Sequence, residues 1–177
     1  MTHFRPKNSF KSSISSLLTL LIVLVGLFSL NACSKSDTKS DTNSTACTLK
    51  AQYVNDTSAT QKALMVAFCK NNNINYTTHP SGILYEITAA GDTAKPNLCN
   101  SITMTYAGKL MTGIQFDKGT ISYPLKDLIV GWQIIVPLIG KGGKIKMVIP
   151  SSLAYGEQGR PPVIPGNSPL YFEMSID

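Results

Sequence analysis

Residues 102–172 decide the fold of this chain, and they read ITMTYAGKLMTGIQFDKGTISYPLKDLIVGWQIIVPLIGKGGKIKMVIPSSLAYGEQGRPPVIPGNSPLYF. In two parts of this stretch, 102–107 and 144–149, apolar residues recur at every second position. Such alternation predicts strands that bury one face and leave the other in water. Between these two parts, residues 130–139 predict one short helix.

The period of two continues outward on both sides of this stretch, over residues 83–88 and again over 170–177. An antiparallel sheet with a single small helix packed on one face is an α+β arrangement. The sequence therefore predicts an α+β fold.

Landmark residues follow one another through the same stretch in a fixed order and spacing. They are Tyr106-Ala107-Gly108, Phe116-Asp117, Leu128-Ile129-Val130-Gly131-Trp132, Ile149-Pro150, Leu153-Ala154-Tyr155-Gly156, Ile164-Pro165 and Leu170-Tyr171-Phe172. Together they resemble FKBP-type peptidyl-prolyl cis-trans isomerases. The resemblance implies a bent antiparallel sheet wrapped around one short helix over residues 82–177, with a pocket between them.

The resemblance also implies the chemistry, which is rotation about the bond that precedes a proline. That rotation meets a barrier of ~18–20 kcal/mol because the amide must lose its planarity. A dry pocket shaped to the twisted bond, with a few hydrogen-bond donors, lowers this barrier without a nucleophile. No cofactor and no metal are expected.

The matching positions assign the pocket. The residues expected to act on the reacting bond are Tyr106, Phe116, Asp117, Ile129, Trp132, Tyr155 and Phe172. The residues expected to bind the rest of the substrate are Leu128, Val163, Ile164 and Tyr123. In this assignment Trp132 forms the floor, Tyr155 and the Ile129 N–H donate hydrogen bonds, and Asp117 fixes Tyr106.

The sequence departs from the family's pattern after Asp117. Only five residues separate Asp117 from Tyr123, where many members have a longer loop, and this removes part of one wall. Either Ile121 or Tyr123 takes the place of the family's aromatic residue there. Arg160 occupies a loop position that varies between members, and two prolines follow it.

The N-terminal residues predict export. Arg5, Lys7 and Lys11 precede an apolar run over 17–30, which is short for a membrane span of ~20 residues. The run leads into Leu30-Asn31-Ala32-Cys33, which resembles a bacterial lipobox, so Cys33 is expected to be lipidated and to become the first mature residue. A plain signal peptide with a coincidental cysteine is the alternative.

The rest of the chain before the domain divides into two segments. Ser34–Thr45 consists of small polar and charged residues and is expected to be a flexible tether. Residues 58–71 predict a helix, in which Ser58 and Gln61 fit a capping box. Its apolar face is expected to include Leu64, Ala67 and Phe68. This helix could dock on the domain, pair with a second copy or act as a spacer.

The predicted organisation is a signal peptide at 1–32, a tether at 33–57, a helical pre-segment at 58–81 and an isomerase domain at 82–177.

The charge of the chain gives no sign of a nucleic-acid partner, and its cysteines favour a disulfide. After residue 32 the chain has thirteen basic and ten acidic residues, and no basic run interleaved with aromatics indicates a nucleic-acid surface. An exported chain meets an oxidising compartment, which favours one disulfide. We expect Cys47 to pair with Cys99, although the sequence also allows pairings with Cys69.

The expected function is a prolyl isomerase that assists the folding of exported proteins. Its partners would be proline-containing segments of unfolded proteins, the membrane through the lipid, and macrolides, bound weakly because of the shortened loop. The expected location is the bacterial cell envelope, at the outer membrane facing the periplasm or the cell surface. The alternatives are a non-catalytic chaperone or assembly module that holds proline-containing segments, and a passive part of an envelope assembly.

Overall fold

The computed structural model describes residues 55–177, which belong to one compact unit. The predicted α+β class is confirmed, since a bent antiparallel sheet packs against a short helix and an N-terminal helix precedes it. The elements in chain order are α1 (Ala59–Asn71), β1 (Thr77–Thr78), β2 (Leu84–Ala89), β3 (Ser101–Leu110), β4 (Gln115–Pro124), α2 (Val130–Ile135), β5 (Lys144–Ile149) and β6 (Leu170–Ile176). Short 3-10 turns lie at Leu125–Asp127, Val136–Leu138 and Ser151–Leu153.

The strands of this part of the chain form one antiparallel sheet in the order β1-β2-β5-β6-β3-β4. Its first face packs against α2. The buried side chains that the two central strands place on this face are Ile145, Met147, Ile149, Leu170, Phe172 and Met174. The alternation in the sequence thus builds the main core.

The helix α2 is short and lies close to the sheet. Pro137 ends it, since proline lacks the N–H that would continue the helix. Gly131 allows the close approach, because a Cβ at this position would lie 2.5 Å from Cγ2 of Ile149. Buried Gln133 donates from Nε2 to the carbonyl oxygens of Leu128, at 2.7 Å, and Lys126, at 3.1 Å. These bonds fix the segment that leads into α2.

The helix α1 docks on the second face of the sheet, which is one of the three arrangements expected for it. Its N-cap is the predicted one, since Ser58 Oγ accepts a hydrogen bond from the Gln61 N–H at 3.2 Å. The predicted buried face is partly wrong, because Leu64, at 50%, and Ala67 are exposed and only Phe68 of the three is buried. Met65, Phe68 and Cys69 are the buried residues, so the inward face is centred one position further along the helix.

The second face of the sheet is therefore not wet throughout, as the alternation predicted. Leu84, Val148 and Tyr171 lie at positions expected to face water, and all three are buried under α1. The rings of Phe68 and Tyr171 pack with centroids 5.1 Å apart. Burial of apolar surface stabilises the fold by roughly 25 cal/mol per Å², so α1 adds a second core to the domain.

The predicted features of the N-terminal part, namely the signal peptide and Cys33, lie outside the described residues. Within the described part, Cys69 is buried with a free thiol and Cys99 is disulfide-bonded. The partner of Cys99 is outside that part, so its pairing with Cys47 stays a prediction. No helix in residues 55–177 combines the length and apolar character needed to cross a bilayer.

Candidate functional site

A cavity of about 120 Å³ lies between α2, strands β3, β4 and β6, and the loop that joins β5 to β6. Its lining is mainly aromatic and aliphatic, with one acidic and one basic residue. The lining residues are Tyr106, Phe116, Asp117, Ile121, Leu128, Ile129, Trp132, Tyr155, Arg160 and Phe172.

Trp132 forms the aromatic centre of this site. It is almost fully buried in α2, and its ring centroid lies 5.1 Å from those of Tyr106 and Phe172. The interplanar angles are 72° and 84°, which is the edge-to-face geometry that aromatic pairs prefer. Three elements of the fold thus hold one another's rings in place.

Phe116 reaches the cavity because β4 contains an irregularity. Gly108 pairs with Asp117 and Lys109 pairs with Gln115, so Phe116 is an extra residue in the ladder. A bulge of this kind changes the alternation of side chains. As a result, consecutive residues Phe116 and Asp117 both line the cavity.

Gly108 makes room for two of the rings. A Cβ at this position would lie 2.6 Å from Cζ of Phe116 and 2.9 Å from Cε1 of Phe172. Those two rings pack edge to face with centroids 5.7 Å apart. The third residue of the Tyr-Ala-Gly motif is therefore a steric requirement of the pocket wall.

Asp117 and Tyr106 form the polar contact of the site. The Tyr106 hydroxyl donates to Oδ2 of Asp117 at 2.8 Å. Burial, together with the hydrogen bond and charge of Asp117, raises the pKa of Tyr106 to about 12. Tyr106 is therefore a neutral hydrogen-bond donor at physiological pH, and its ring orientation is fixed by the carboxylate.

Ile129 is the N-cap of α2. Its carbonyl oxygen accepts hydrogen bonds from the N–H groups of Trp132, at 2.9 Å, and Gln133, at 3.2 Å. The first N–H groups of a helix have no acceptor within it. Among residues 55–177 the Ile129 N–H donates to no backbone carbonyl. This N–H is available to a carbonyl bound in the cavity.

The residues assigned to the reacting bond all line the cavity, and of the four assigned to the rest of the substrate only Leu128 does. Tyr123 is 54% exposed and lies two residues beyond Ile121 along β4, and Ile121 is the one of the two that lines the cavity. Val163 is 51% exposed, and Ile164 is buried in the core. Tyr123, Val163 and Ile164 do not line this cavity, and their assignment to the rest of the substrate stays a prediction.

Sequence reasoning missed Arg160 as a site residue. It is exposed at the cavity and is held in the loop by paired backbone hydrogen bonds with Ile164, at 2.8 and 3.0 Å. A charged side chain in a variable loop gave no periodic signal. No group of three or more His, Cys, Asp or Glu side chains in the described residues is arranged to hold a metal ion.

The comparisons with known proteins agree with this geometry. The sequence model of the family described as FKBP-type peptidyl-prolyl cis-trans isomerase matches residues 92–177. The FKBP-type peptidyl-prolyl cis-trans isomerase FkpA of Escherichia coli K12 is 35% identical over 126 residues, which are 68% of this chain and 46% of FkpA. This chain thus spans less than half the length of that relative.

Two solved structures have the same fold. The crystal structure of Escherichia coli FkpA has a TM-score of 0.60 at 34% identity, covering 70% of this chain and 59% of that one. A peptidyl-prolyl cis-trans isomerase from Pseudomonas syringae pv. tomato has a TM-score of 0.56 at 28% identity, covering 68% of this chain and 96% of that one. Through residues 92–177, this chain belongs to the FKBP-type peptidyl-prolyl cis-trans isomerase family.

Proposed function

We propose that this protein catalyses cis-trans isomerisation of peptide bonds that precede proline. The observation that carries the proposal is the 120 Å³ cavity with an aromatic lining, in which Trp132 packs against Tyr106 and Phe172. In water the planar amide is stabilised by hydrogen bonds and rotates over tens to hundreds of seconds. An apolar cavity removes those hydrogen bonds from the ground state and favours the less polar twisted amide.

In this mechanism the proline ring lies on Trp132, and Tyr106, Phe116 and Phe172 form the walls around it. The Ile129 N–H and the Tyr155 hydroxyl donate hydrogen bonds to substrate carbonyl groups and hold the chain on both sides of the rotating bond. Asp117 acts on Tyr106 and not on the substrate. No covalent bond forms, so the rate depends on how much better the cavity fits the twisted bond than the planar one.

The test is a protease-coupled assay on a proline tetrapeptide with the full chain in detergent. We expect turnover above the uncatalysed rate, and a loss of at least tenfold in Trp132→Leu, which equals about 1.4 kcal/mol of transition-state stabilisation. Tyr155→Phe should lose less, since it removes one hydrogen bond. Full activity in Trp132→Leu would contradict the proposed cavity.

A second candidate is a binding module that holds proline-containing segments without turning them over. The short connection after Asp117 favours it, because from Asp117 to Pro124 β4 pairs residue by residue with β3 and adds no loop over the cavity. This candidate would be favoured over the enzyme if a proline peptide quenched the fluorescence of Trp132 while its cis-trans exchange continued at the uncatalysed rate.

We further propose that the protein is a lipid-anchored folding assistant of the bacterial envelope. The support is the apolar run at 17–30 followed by Cys33, together with the disulfide at Cys99, a bond that persists in oxidising compartments. We propose the outer membrane, with the domain facing the periplasm or the cell surface, as the location of this anchor. We expect Cys33→Ser to lack the added mass of the lipid and to leave the membrane fraction. Unchanged fractionation with the membrane would overturn the proposed anchor.

Macrolide binding is a separate proposal for the same cavity. The short β4 connection leaves one side of the cavity open, so we expect binding that is weaker than in FkpA measured in parallel. Titration through the fluorescence of Trp132, the single tryptophan, measures it. Equal or tighter binding would contradict the role assigned to the short connection.

A further inference from the structure

The loop between β5 and β6 connects the two faces of the domain. It leaves β5 at Ile149 and enters β6 at Leu170. Tyr155 on this loop lines the cavity on the first face of the sheet. Ser151, at the beginning of the same loop, contacts α1, which covers the second face.

Gln61 of α1 makes this contact with a side chain that uses both of its polar atoms. Its Nε2 donates to Ser151 Oγ at 2.7 Å and to the Asn167 carbonyl oxygen at 3.3 Å. Its Oε1 accepts from the Ser151 N–H at 3.2 Å. Ser151 is only 4% exposed, whereas Gln61 is half-buried and Asn167 is exposed, so the Ser151 end of the bridge is the part shielded from water.

The two residues that Gln61 holds are tied to the residue beside Tyr155. The Gly156 N–H donates to the Ser151 carbonyl oxygen at 2.8 Å, and the Asn167 N–H donates to the Gly156 carbonyl oxygen at 2.8 Å. A displacement of Ser151 or Asn167 is therefore passed on to Gly156, and from there to the hydroxyl of Tyr155.

The helix gives Gln61 a fixed position. Gln61 is the third residue of α1, where a glutamine side chain in a capping box would turn back to its own helix. Here it reaches the loop instead. Met65, Phe68 and Cys69 anchor the same helix in the second core, so Gln61 is held by a rigid element. Preorganised donors require such support to act at full strength.

We propose that Gln61 is a positioning residue of the isomerase, which acts through Ser151 and Asn167 on Tyr155, and that α1 is thereby part of the catalytic unit. This inference rests on the proposed isomerase function. It assigns a role in the reaction to a segment that lies outside the residues matched by the family model, 92–177.

The test is a kinetic cycle on the full chain in detergent. Gln61→Met keeps the length of the side chain and removes both polar atoms. Lys62→Met is the matched control, since Lys62 is the exposed neighbour on the same turn. We expect Gln61→Met to lower kcat/KM at least fivefold and Lys62→Met less than twofold, with melting temperatures that agree within a few degrees.

The Tyr155→Phe background separates positioning from a general loss of structure. If Gln61 acts through Tyr155, Gln61→Met lowers kcat/KM less than twofold in that background. An equal factor in both backgrounds, or no effect in either, overturns the proposal. If Gln61→Met unfolds, Ser151→Ala takes its place in the same cycle.

Absence of turnover in the unmodified chain would refute the proposed function, and the inference would then be decided by peptide binding. The affinity for a proline tetrapeptide, measured by quenching of Trp132 fluorescence, should be at least threefold weaker in Gln61→Met than in Lys62→Met. Equal affinities in the two variants would overturn it.

Discussion

Replacement of Gly108 by alanine tests whether the aromatic wall is packed as tightly as the structure shows. The added Cβ would lie 2.6 Å from Cζ of Phe116, 2.9 Å from Cε2 of the same ring and 2.9 Å from Cε1 of Phe172. Carbon atoms pack at about 3.5–4.0 Å, so both rings must move by roughly 1 Å. Gly108 lies in strand β3, which is paired with β4 on one side and β6 on the other, so the backbone cannot easily give way.

Overpacking of this kind costs typically 1–3 kcal/mol of folding stability. We expect a loss of this size from Gly108→Ala, measured by urea unfolding through Trp132 fluorescence. The loss of activity should be larger than tenfold, because the displaced rings form the wall of a cavity of only 120 Å³. Tetrapeptide kinetics at a temperature at which the variant is folded measure it.

Gly119→Ala is the matched control. Gly119 is in the neighbouring strand, opposite Tyr106, and a Cβ there would meet nothing within 4 Å. We expect stability within about 0.5 kcal/mol of the unmodified chain, the usual range for such a substitution, and unchanged turnover. Equal losses in the two variants, or an unaffected Gly108→Ala, would refute the packing argument.

Three further results are expected. Burial is the main cause that raises the pKa of Tyr106 from its ordinary value of 10.0 to about 12. The contribution of Tyr106 to the free energy of unfolding is therefore complete below pH 10 and is lost as the pH rises towards 12. In Tyr106→Phe the free energy of unfolding should fall less at alkaline pH, and an unchanged pH profile would contradict this explanation. Arg160 lines the cavity and forms no ion pair within residues 55–177. A tetrapeptide with Glu before proline should therefore be turned over a few-fold faster than one with Lys at that position. The substitution Arg160→Gln should remove this preference, and so should high salt, which screens the charge. Burial raises the pKa of Cys69 to about 11. Alkylation of the Cys69 thiol at pH 8, detected by mass spectrometry of the peptide that contains it, should therefore require denaturant. Rapid labelling of the folded chain would contradict the burial of Cys69.

The sequence alone was sufficient to predict the strands that bury one face and to identify the motif residues that line the cavity. Strands β3, β5 and β6 follow from alternation, and the cavity brings together the residues assigned to the reacting bond. The second core was not predictable in the same way, because Val148 and Tyr171 lie at alternation positions that face water unless another element covers them. Only the docked position of α1 decides their burial.

The residues that the sequence did not place are those whose position depends on tertiary geometry. Tyr123 and Ile121 share a face of β4, and the register with β3 determines which of them reaches the cavity. Val163 and Ile164 are adjacent in a loop, and only the backbone pairing of Arg160 with Ile164 turns one inward and the other outward. Composition and spacing carry no information on either.

The most direct test of the central claim is the rate of cis-trans exchange of a proline tetrapeptide, followed by NMR in the presence of a catalytic amount of the full chain. This measurement needs no coupling protease. The cavity around Trp132 predicts exchange faster than the uncatalysed tens to hundreds of seconds, with most of the acceleration lost in Trp132→Leu. Exchange at the uncatalysed rate, from a chain shown to be folded, would contradict it.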